Sequence, residues 1–276
     1  MGAVKRIAVI PTLLTLGNAV CGFAAIAVAS KIGQPETIDH TDYYFALSGW
    51  LIIGAMVFDA LDGYVARLSK TASSFGMQLD SLCDAISFGA APAFLVLRMG
   101  PGWGVPRLHQ AVAIVATLYM VCAILRLARF NVESAIDSGT SKRFRGLPSP
   151  GAAGCLASLA IFRSQVSSRW PAFDPELVRT ILAVWAPLGA LTVALLMVSR
   201  VPYPHITKQI LRGRRPFRHL VQVVVVFFII FLIQDLALVL LFWVYGIGIP
   251  LRYLWLRSMR PEAVPRPATG MDDRSQ

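Results

Sequence analysis

Four aspartates in two groups are the residues of this sequence most suited to chemistry. Asp59 and Asp62 lie three positions apart in the stretch FDALDGYVARLSK, and Asp80 and Asp84 lie four positions apart further along the chain. On a helix, spacings of three and four place side chains on one face. Clustered carboxylates offer hard oxygen ligands to divalent cations, so the pattern favours a metal site that stabilises charge during a displacement at phosphorus.

Apolar helices must position these aspartates, because the chain around them is predominantly hydrophobic. Of the 276 residues, 56% are hydrophobic and only 15% are charged. Soluble domains usually carry about 25% charged residues. Several apolar runs approach or exceed the roughly 20 residues that cross a bilayer. The composition therefore predicts an all-α, polytopic integral membrane protein.

The apolar runs predict about eight transmembrane helices. They are residues 9–30, 43–66, 78–98, 109–128, 149–164, 178–199, 219–235 and 236–256. The run 220–256 is too long for one span and is interrupted only at Gln234 and Asp235, which predicts a tight hairpin; a single strongly tilted helix is the alternative. We therefore predict a transmembrane domain over residues 1–257 and a disordered cytoplasmic tail over 258–276.

The distribution of basic residues predicts that both ends of the chain face the cytoplasm. With Lys5 and Arg6 placed inside, 20 of the 26 lysines and arginines fall on the cytoplasmic side, where such residues concentrate. The formal net charge of +11 then reflects membrane topology, and no motif for a nucleic-acid partner accompanies it. We expect the protein in the plasma or inner membrane of the cell, with the aspartates on the cytoplasmic side. The basic residues left outside are Lys31, Arg98, Arg107, Arg163, Arg169 and Arg179.

A short connection over residues 67–77 joins the second and third spans as an antiparallel pair, so their acidic faces converge. Two carboxylates about 5 Å apart repel by roughly 3 kcal/mol at an effective dielectric of about 20. Either several of these groups are protonated, or divalent cations lie among them. Oxygen donors without histidine favour Mg²⁺, Mn²⁺ or Ca²⁺ over zinc, and two ions is the expected number for displacement at phosphorus.

A simpler interpretation is that aspartates at span ends face water or pair with Arg67 and Lys70. Four of them on two facing helices favour a metal site instead. Gly63, Ala66 and Gly76 leave the helix surfaces bare, which lets a flat base or a diphosphate approach the backbone. Small residues also serve helix packing, so by themselves they do not indicate a ligand.

The stretch 59–84, with the pattern D-x2-D-G-x2-A-R-x8-G-x3-D-x3-D, resembles the signature of the CDP-alcohol phosphotransferase family. The resemblance implies an integral membrane enzyme in which an acceptor hydroxyl displaces CMP from a CDP-linked lipid or alcohol. It implies that the four aspartates hold two divalent metal ions, Mg²⁺ or Mn²⁺ with Ca²⁺ as an alternative. Asp80 and Asp84 would be catalytic, with Asp84 as general base. The residues that would lie against the CDP group are Gly63, Ala66, Arg67 and Gly76.

Other stretches resemble one branch of that family, the phosphatidylserine synthases. They are IPTLLTLGNAVCGFAAI, with Pro11, Thr15, Asn18 and Gly22, then RLARFNV over 126–132 and FRGLPSPGAAG over 144–154. This resemblance implies transfer of the phosphatidyl group from CDP-diacylglycerol to L-serine, which yields phosphatidylserine and CMP. It also implies a homodimer among membrane lipids, and it adds Thr15 and Asn18 to the CDP-binding residues.

A pocket for serine must offer a cation or backbone amides to the serine carboxylate. The candidates in the cytoplasmic loop are Arg126, Arg129, Asn131 and Arg145. These arginines have an alternative role as topology determinants or contacts to lipid headgroups, and Asn131 has one in a cap or turn. The basic residues over 142–145 also leave glycerol 3-phosphate, inositol and inositol phosphate open as acceptors.

Two alternative functions do not involve phosphoryl transfer. Acids within a membrane often mark ion pathways, so a cation transporter is one alternative. However, these acids cluster at one edge, and Asp235 is the remaining candidate for continuing a path. A lipid-binding scaffold is the other alternative, and release of CMP would exclude it.

Overall fold

The computed structural model describes residues 2–69, 74–100, 106–136, 146–169, 174–199, 201 and 234–258. Within these ranges every regular element is helical, which confirms the all-α prediction for the part described. The α-helices are α1 (Gly2–Ala29), α2 (Thr41–Ser69), α3 (Ser74–Asp84), α4 (Ala91–Met99), α5 (Pro106–Ile136), α6 (Ser149–Arg169), α7 (Pro175–Val198), α8 (Gln234–Trp243) and α9 (Ile249–Ser258). A 3₁₀ helix, Pro35–His40, precedes α2, and the π-helical turns Ala85–Ala90 and Val244–Gly248 join α3 to α4 and α8 to α9.

Five helical stretches of the described chain are long and apolar enough to cross a membrane, which identifies a membrane protein. They are Val9–Ala29, Thr41–Ala66, Phe75–Met99, Pro106–Glu133 and Pro175–Val198, and a shorter apolar helix covers Leu236–Arg252. These stretches correspond to predicted spans one to four, six and eight. The predicted span 219–235 lies outside the described residues except for its last two positions. The basic loop 200–218, apart from residue 201, and the tail beyond Ser258 also lie outside them.

Helix α6, which corresponds to the predicted span 149–164, is the central helix of the bundle. Residues 152–161 are all buried, and small alanine, glycine and serine side chains dominate the stretch. Small residues allow helix axes to approach closely, and α6 accordingly packs against α2, α4, α7 and α8. Because α6 faces protein on all sides, its sequence does not need the hydropathy of a lipid-facing span.

The hydrophobic core lies on two sides of α6. One cluster joins α1, α2 and α4 through residues such as Phe45, Ile52 and Leu95. The second joins α5, α6 and α7 through residues such as Tyr119 and Leu156. Helix α1 also packs along α2 and against α3 and the first π-helical turn, so it contacts both helices that carry the aspartates.

Charged residues form a second cluster at the opposite end of α2 from Asp59. Asp42 accepts hydrogen bonds from Arg163 Nη1 at 3.2 Å and from Arg179 Nη2 at 2.6 Å. The Arg163 guanidinium lies 4.0 Å from the centroid of the Phe45 ring. From Asp42 to Asp59 the helix rises about 25 Å, close to the thickness of a bilayer core. The two ends of the bundle therefore carry separate charged groups.

Candidate active site

The structure brings together the carboxylates of Asp59, Asp62 and Asp80. One oxygen from each of these side chains lies within 4.8 Å of the other two. Asp59 and Asp62 come from the C-terminal part of α2 and Asp80 comes from α3, so the group bridges two helices. Asp62 is buried, and the other two are half-buried.

This donor set fits a divalent cation. Asp80 Oδ1 is buried and has no hydrogen-bond partner among the residues that the structure describes. A buried carboxylate oxygen without a donor is costly, and a bound cation would satisfy it. Carboxylate oxygens are ligands that Mg²⁺, Mn²⁺ and Ca²⁺ prefer. Asp59, Asp62 and Asp80 could therefore hold a metal ion.

Asp84 lies beside this group and is oriented by α1. The Asn18 amide donates a hydrogen bond from Nδ2 to Asp84 Oδ1 at 2.9 Å, and both side chains are buried. Asp84 lies within electrostatic range of Asp59 and Asp80. The fourth aspartate is thus held at the same site, with its carboxylate fixed by a neighbouring helix.

Close packing of α1 against the π-helical turn Ala85–Ala90 fixes the position of Asn18. The Asn18 carbonyl accepts a hydrogen bond from Ser87 Oγ at 2.9 Å. A Cβ atom at Gly22 would lie 2.6 Å from Ser87 Cα, so only glycine permits this approach. Thr15, one turn before Asn18, is buried and bonds the Pro11 carbonyl through its hydroxyl at 2.9 Å. The residues around Asn18 therefore form the contact between α1 and the segment that contains Asp84 and the π-helical turn.

A π-helical turn follows Asp84 directly. Such turns are rare and occur often at functional sites. Within it the Phe88 carbonyl accepts a hydrogen bond from the buried Tyr119 hydroxyl of α5 at 3.0 Å. Tyr119 therefore ties this irregular segment to α5 and stabilises the backbone that carries Asp84.

Small residues border the aspartates on both helices. Gly63 and Ala66 are half-buried on α2, after Asp62, and Gly76 is half-buried on α3, before Asp80. The backbone of Arg67 belongs to α2, but its side chain lies outside the described part of the chain. The described small residues leave room beside the carboxylates for a flat or extended ligand.

Arg126 is one of the predicted acceptor residues that the structure places by the acids. Its Nη1 donates to Ser149 Oγ at 2.9 Å, and its guanidinium lies 5.7 Å from the centroid of the Phe130 ring. It is within electrostatic range of Asp84 and Asp59. A cation thus lies on the α5 side of the acidic cluster.

The other acceptor candidates are placed differently. Arg129 pairs with Glu133 on its own helix, with Nε 2.7 Å from Oε1. Asn131 donates from Nδ2 to Ser81 Oγ at 2.8 Å and so links α5 to α3 beside Asp80. Arg145 lies outside the described residues.

Three residues at the site were not singled out from the sequence. Ser87 follows the aspartate pattern by three positions, and Ser149 falls within the stretch 144–154, so both had a sequence signal nearby. Tyr245, on the second π-helical turn, had none, yet it lies within electrostatic range of Arg126. Contacts between distant helices bring these residues in, and only the fold reveals them.

Comparison with known proteins places these features in a family. The family model described as CDP-alcohol phosphatidyltransferase matches residues 8–192, a stretch that contains all four aspartates. Asn18 and Arg126 also fall within it, whereas Tyr245 lies beyond its end.

Three of the curated relatives of this chain are each 31–32% identical to it. The CDP-diacylglycerol–serine O-phosphatidyltransferase of Helicobacter pylori (strain ATCC 700392 / 26695) is 31% identical over 198 residues, 72% of this chain and 73% of that protein. The enzyme of that name from Methanocaldococcus jannaschii is 32% identical over 205 residues, 74% of this chain and 78% of its own. The archaetidylserine synthase of Methanothermobacter thermautotrophicus is 31% identical over 201 residues, 71% of this chain and 70% of its own.

Proposed function

The chain belongs to the CDP-alcohol phosphatidyltransferase family, and from that membership we propose that it transfers the phosphatidyl group of CDP-diacylglycerol to the hydroxyl of L-serine. The products are phosphatidylserine and CMP. The observation that carries this proposal is the cluster of Asp59, Asp62 and Asp80 in a chain about 30% identical, over most of its length, to enzymes named for this reaction.

Asp84 is the proposed general base. The serine oxygen forms a bond to the phosphorus on the lipid side, the bond from that phosphorus to the CMP oxygen breaks, and the serine proton passes to the Asp84 carboxylate. Asn18 holds that carboxylate in one orientation through a 2.9 Å hydrogen bond, which limits the reorganisation needed when the hydroxyl arrives. Asp80, one turn before Asp84 on α3, is the second proposed catalytic residue.

Two divalent metal ions, Mg²⁺ or Mn²⁺, are the proposed cofactors, with Asp59, Asp62, Asp80 and Asp84 as their ligands. When bound, such ions neutralise charge on a diphosphate and on the departing phosphate oxygens. The buried oxygen of Asp80 that lacks a hydrogen-bond donor in the described chain supports this assignment.

The CDP group is proposed to lie against the small residues that border the acids. Gly63, Ala66 and Gly76 permit close approach of the diphosphate and base to the backbone. Asn18 Oδ1 is buried and has no donor among the described residues, so it can accept a hydrogen bond from the nucleotide. The two remaining proposed CDP contacts are Arg67 and Thr15.

Arg126 is proposed to bind the carboxylate of serine. A guanidinium carries five N–H donors, and Ser149 accepts one of them, which leaves donors for a bidentate contact to a carboxylate. Arg129, Asn131 and Arg145 are proposed to complete the acceptor side.

The proposed setting is the plasma or inner membrane, with eight spans, both chain ends in the cytoplasm and the acids at the cytoplasmic surface. The transferase domain then covers residues 1–257 and is followed by a cytoplasmic tail. By family analogy the working form is a homodimer. The excess of basic residues in the connections at the acid end supports this orientation.

The experiment that tests the function compares acceptors. The full chain, purified in detergent or nanodiscs, is incubated with CDP-diacylglycerol and with L-serine, glycerol 3-phosphate, inositol or inositol phosphate. We expect CMP release and a new lipid with serine. A product with another acceptor and none with serine would overturn the choice of acceptor, and an absence of CMP with every acceptor would overturn the enzymatic proposal.

A further inference from the structure

The geometry points to Tyr245 as a positioning residue that acts through Arg126 and sets the affinity for the acceptor; this inference rests on the proposed function. Tyr245 lies on the π-helical turn Val244–Gly248, more than fifty residues beyond the end of the family match at residue 192. The C-terminal segment of the chain would thereby complete a site whose other residues all lie within that match.

Helix α8 is fixed on the central helix at a defined register. Trp243 Nε1 donates to the Cys155 carbonyl at 3.0 Å, and Cys155 Sγ donates to the Phe242 carbonyl at 3.3 Å. A Cβ atom at Gly154 would lie 2.6 Å from Phe242 Cζ, and one at Gly189 would lie 2.5 Å from Trp243 Cη2. Gly154 in α6 and Gly189 in α7 therefore leave room for the rings of Phe242 and Trp243. This packing fixes the end of α8 and so the position at which Tyr245 follows.

The π-helical turn then places Tyr245 against the first turn of α6. Tyr245 Cε1 lies 3.3 Å from the position that a Cβ atom would take at Gly151. Gly151 is two residues from Ser149, the buried serine that accepts the hydrogen bond from Arg126. The tyrosine and the serine thus approach Arg126 from one region of the bundle.

Arg126 is therefore enclosed on several sides. The Phe130 ring lies on its own helix, Ser149 holds Nη1, and Tyr245 lies within electrostatic range of the guanidinium. Asp84 lies within electrostatic range on the side of the acids. A flexible arginine side chain loses conformational freedom when it binds a carboxylate, and partners that restrict it beforehand reduce that loss. Removal of the Tyr245 hydroxyl should therefore weaken acceptor binding while the CDP-lipid side is unaffected.

The test measures both substrates separately in the full chain. Tyr245→Phe keeps the ring against Gly151 and removes only the hydroxyl. We expect the KM for serine to rise about tenfold, because the Arg126 guanidinium is then less restricted before serine binds. The KM for CDP-diacylglycerol and the midpoint of thermal unfolding should stay near the wild-type values. The matched control is Tyr43→Phe, since Tyr43 is exposed at the opposite end of α2, and it should leave every value unchanged.

A purely structural role for Tyr245 predicts a different pattern. If Tyr245→Phe leaves the KM for serine within about twofold of wild type, or raises both KM values equally, the inference is overturned. Tyr245→Ala, which also removes the ring, should raise the KM for serine further. Phosphatidylserine formation by the wild-type chain in the same assay tests the proposed function on its own, so a failure there is distinguishable from a failure of Tyr245.

Discussion

At the scale of single residues, the site depends on how each carboxylate is held. Asp59, Asp62 and Asp80 each offer a carboxylate oxygen within 4.8 Å of the other two, whereas Asp84 is fixed by the Asn18 amide. The hydrogen bond from Asn18 distinguishes Asp84 among the four proposed metal ligands, because a general base also needs a fixed direction. The additional proposed role of Asp84 as base is therefore supported by its neighbour Asn18 rather than by the carboxylate itself.

Replacement of Asp84 by asparagine is expected to abolish turnover without unfolding the protein. Asparagine has nearly the same shape but cannot take a proton, so the rate should fall by about 10²–10⁴-fold, the usual contribution of a general base. CMP release under saturating substrates measures this, with size-exclusion profiles to verify folding. Asp174→Asn is the matched control, because Asp174 caps α7 and asparagine caps equally well. Near-normal activity of Asp84→Asn would remove Asp84 from the base assignment.

Removal of divalent cations is expected to stop the reaction and to lower thermal stability. Without a cation the clustered carboxylates repel each other, so EDTA should lower the unfolding midpoint, and Mg²⁺ or Mn²⁺ should restore both properties. In Asp80→Asn the midpoint should respond much less to added Mg²⁺. Full activity after thorough chelation would contradict the metal assignment.

At the scale of helices, α1 is the element that assembles the site. It packs on α2 and on the rod formed by α3, the π-helical turn and α4, and it contributes Asn18 at the point where they meet. Gly22 sets the distance of that contact, since its Cα faces Ser87 without a side chain between them. Placement of α1 therefore determines the position of Asp84.

Gly22→Ala is expected to destabilise the protein and reduce activity. Its new Cβ atom would lie 2.6 Å from Ser87 Cα, so α1 would have to shift, at a cost of about 1–3 kcal/mol for overpacking. Gly54→Ala is the matched control, because its Cβ atom would lie 3.9 Å from Cys21 Sγ, an ordinary contact. Both changes add the same helix propensity, so the difference between their unfolding midpoints isolates the clash. Equal midpoints would contradict the proposed role of Gly22.

The sequence predicted the helices well, because apolar length and charge at the ends identify a span. Predicted span 43–66 corresponds to α2 (Thr41–Ser69), and 178–199 corresponds to α7 (Pro175–Val198). The convergence of Asp59 with Asp80 also followed from helical spacing and a short connection. The contact of Asn18 with Asp84 spans 66 positions, and that of Cys155 with Phe242 spans 87. Spacing rules relate only near neighbours, so such contacts depend on packing that no local pattern encodes.

At the scale of the whole molecule, the described part of the chain has its charge concentrated at two opposite ends of an apolar bundle. The aspartates and Arg126 occupy one end, and Asp42 with Arg163 and Arg179 occupies the other. The second group links α2, α6 and α7 and so holds the bundle together away from the chemistry. This separation makes the membrane orientation testable with residues that take no part in the reaction.

Cysteine labelling is expected to place the two ends on opposite sides of the membrane. Gln34→Cys, between α1 and α2, should react with an impermeant maleimide in intact cells. Glu133→Cys, at the acid end of α5, should react only after permeabilisation. Both positions are exposed. The chain without these substitutions measures the background labelling, which should be low because three of its four cysteines are buried and Cys21 is half-buried. The reverse labelling pattern would contradict the proposed orientation.

The π-helical turn after Asp84 sets the rotation of α4, which packs into the core, relative to α3, which carries the acids. A turn of this kind accommodates one residue more than a regular helix, and one residue corresponds to about 100° of rotation. A regular α-helix over the same residues from Asp84 to Ala91 would carry the extra residue without the wider turn. Its acidic half and its core-packing half, with Leu95, would then face directions about 100° away from their present relation. The wider π-helical turn in this segment is therefore as much a determinant of the site as the identity of the aspartates.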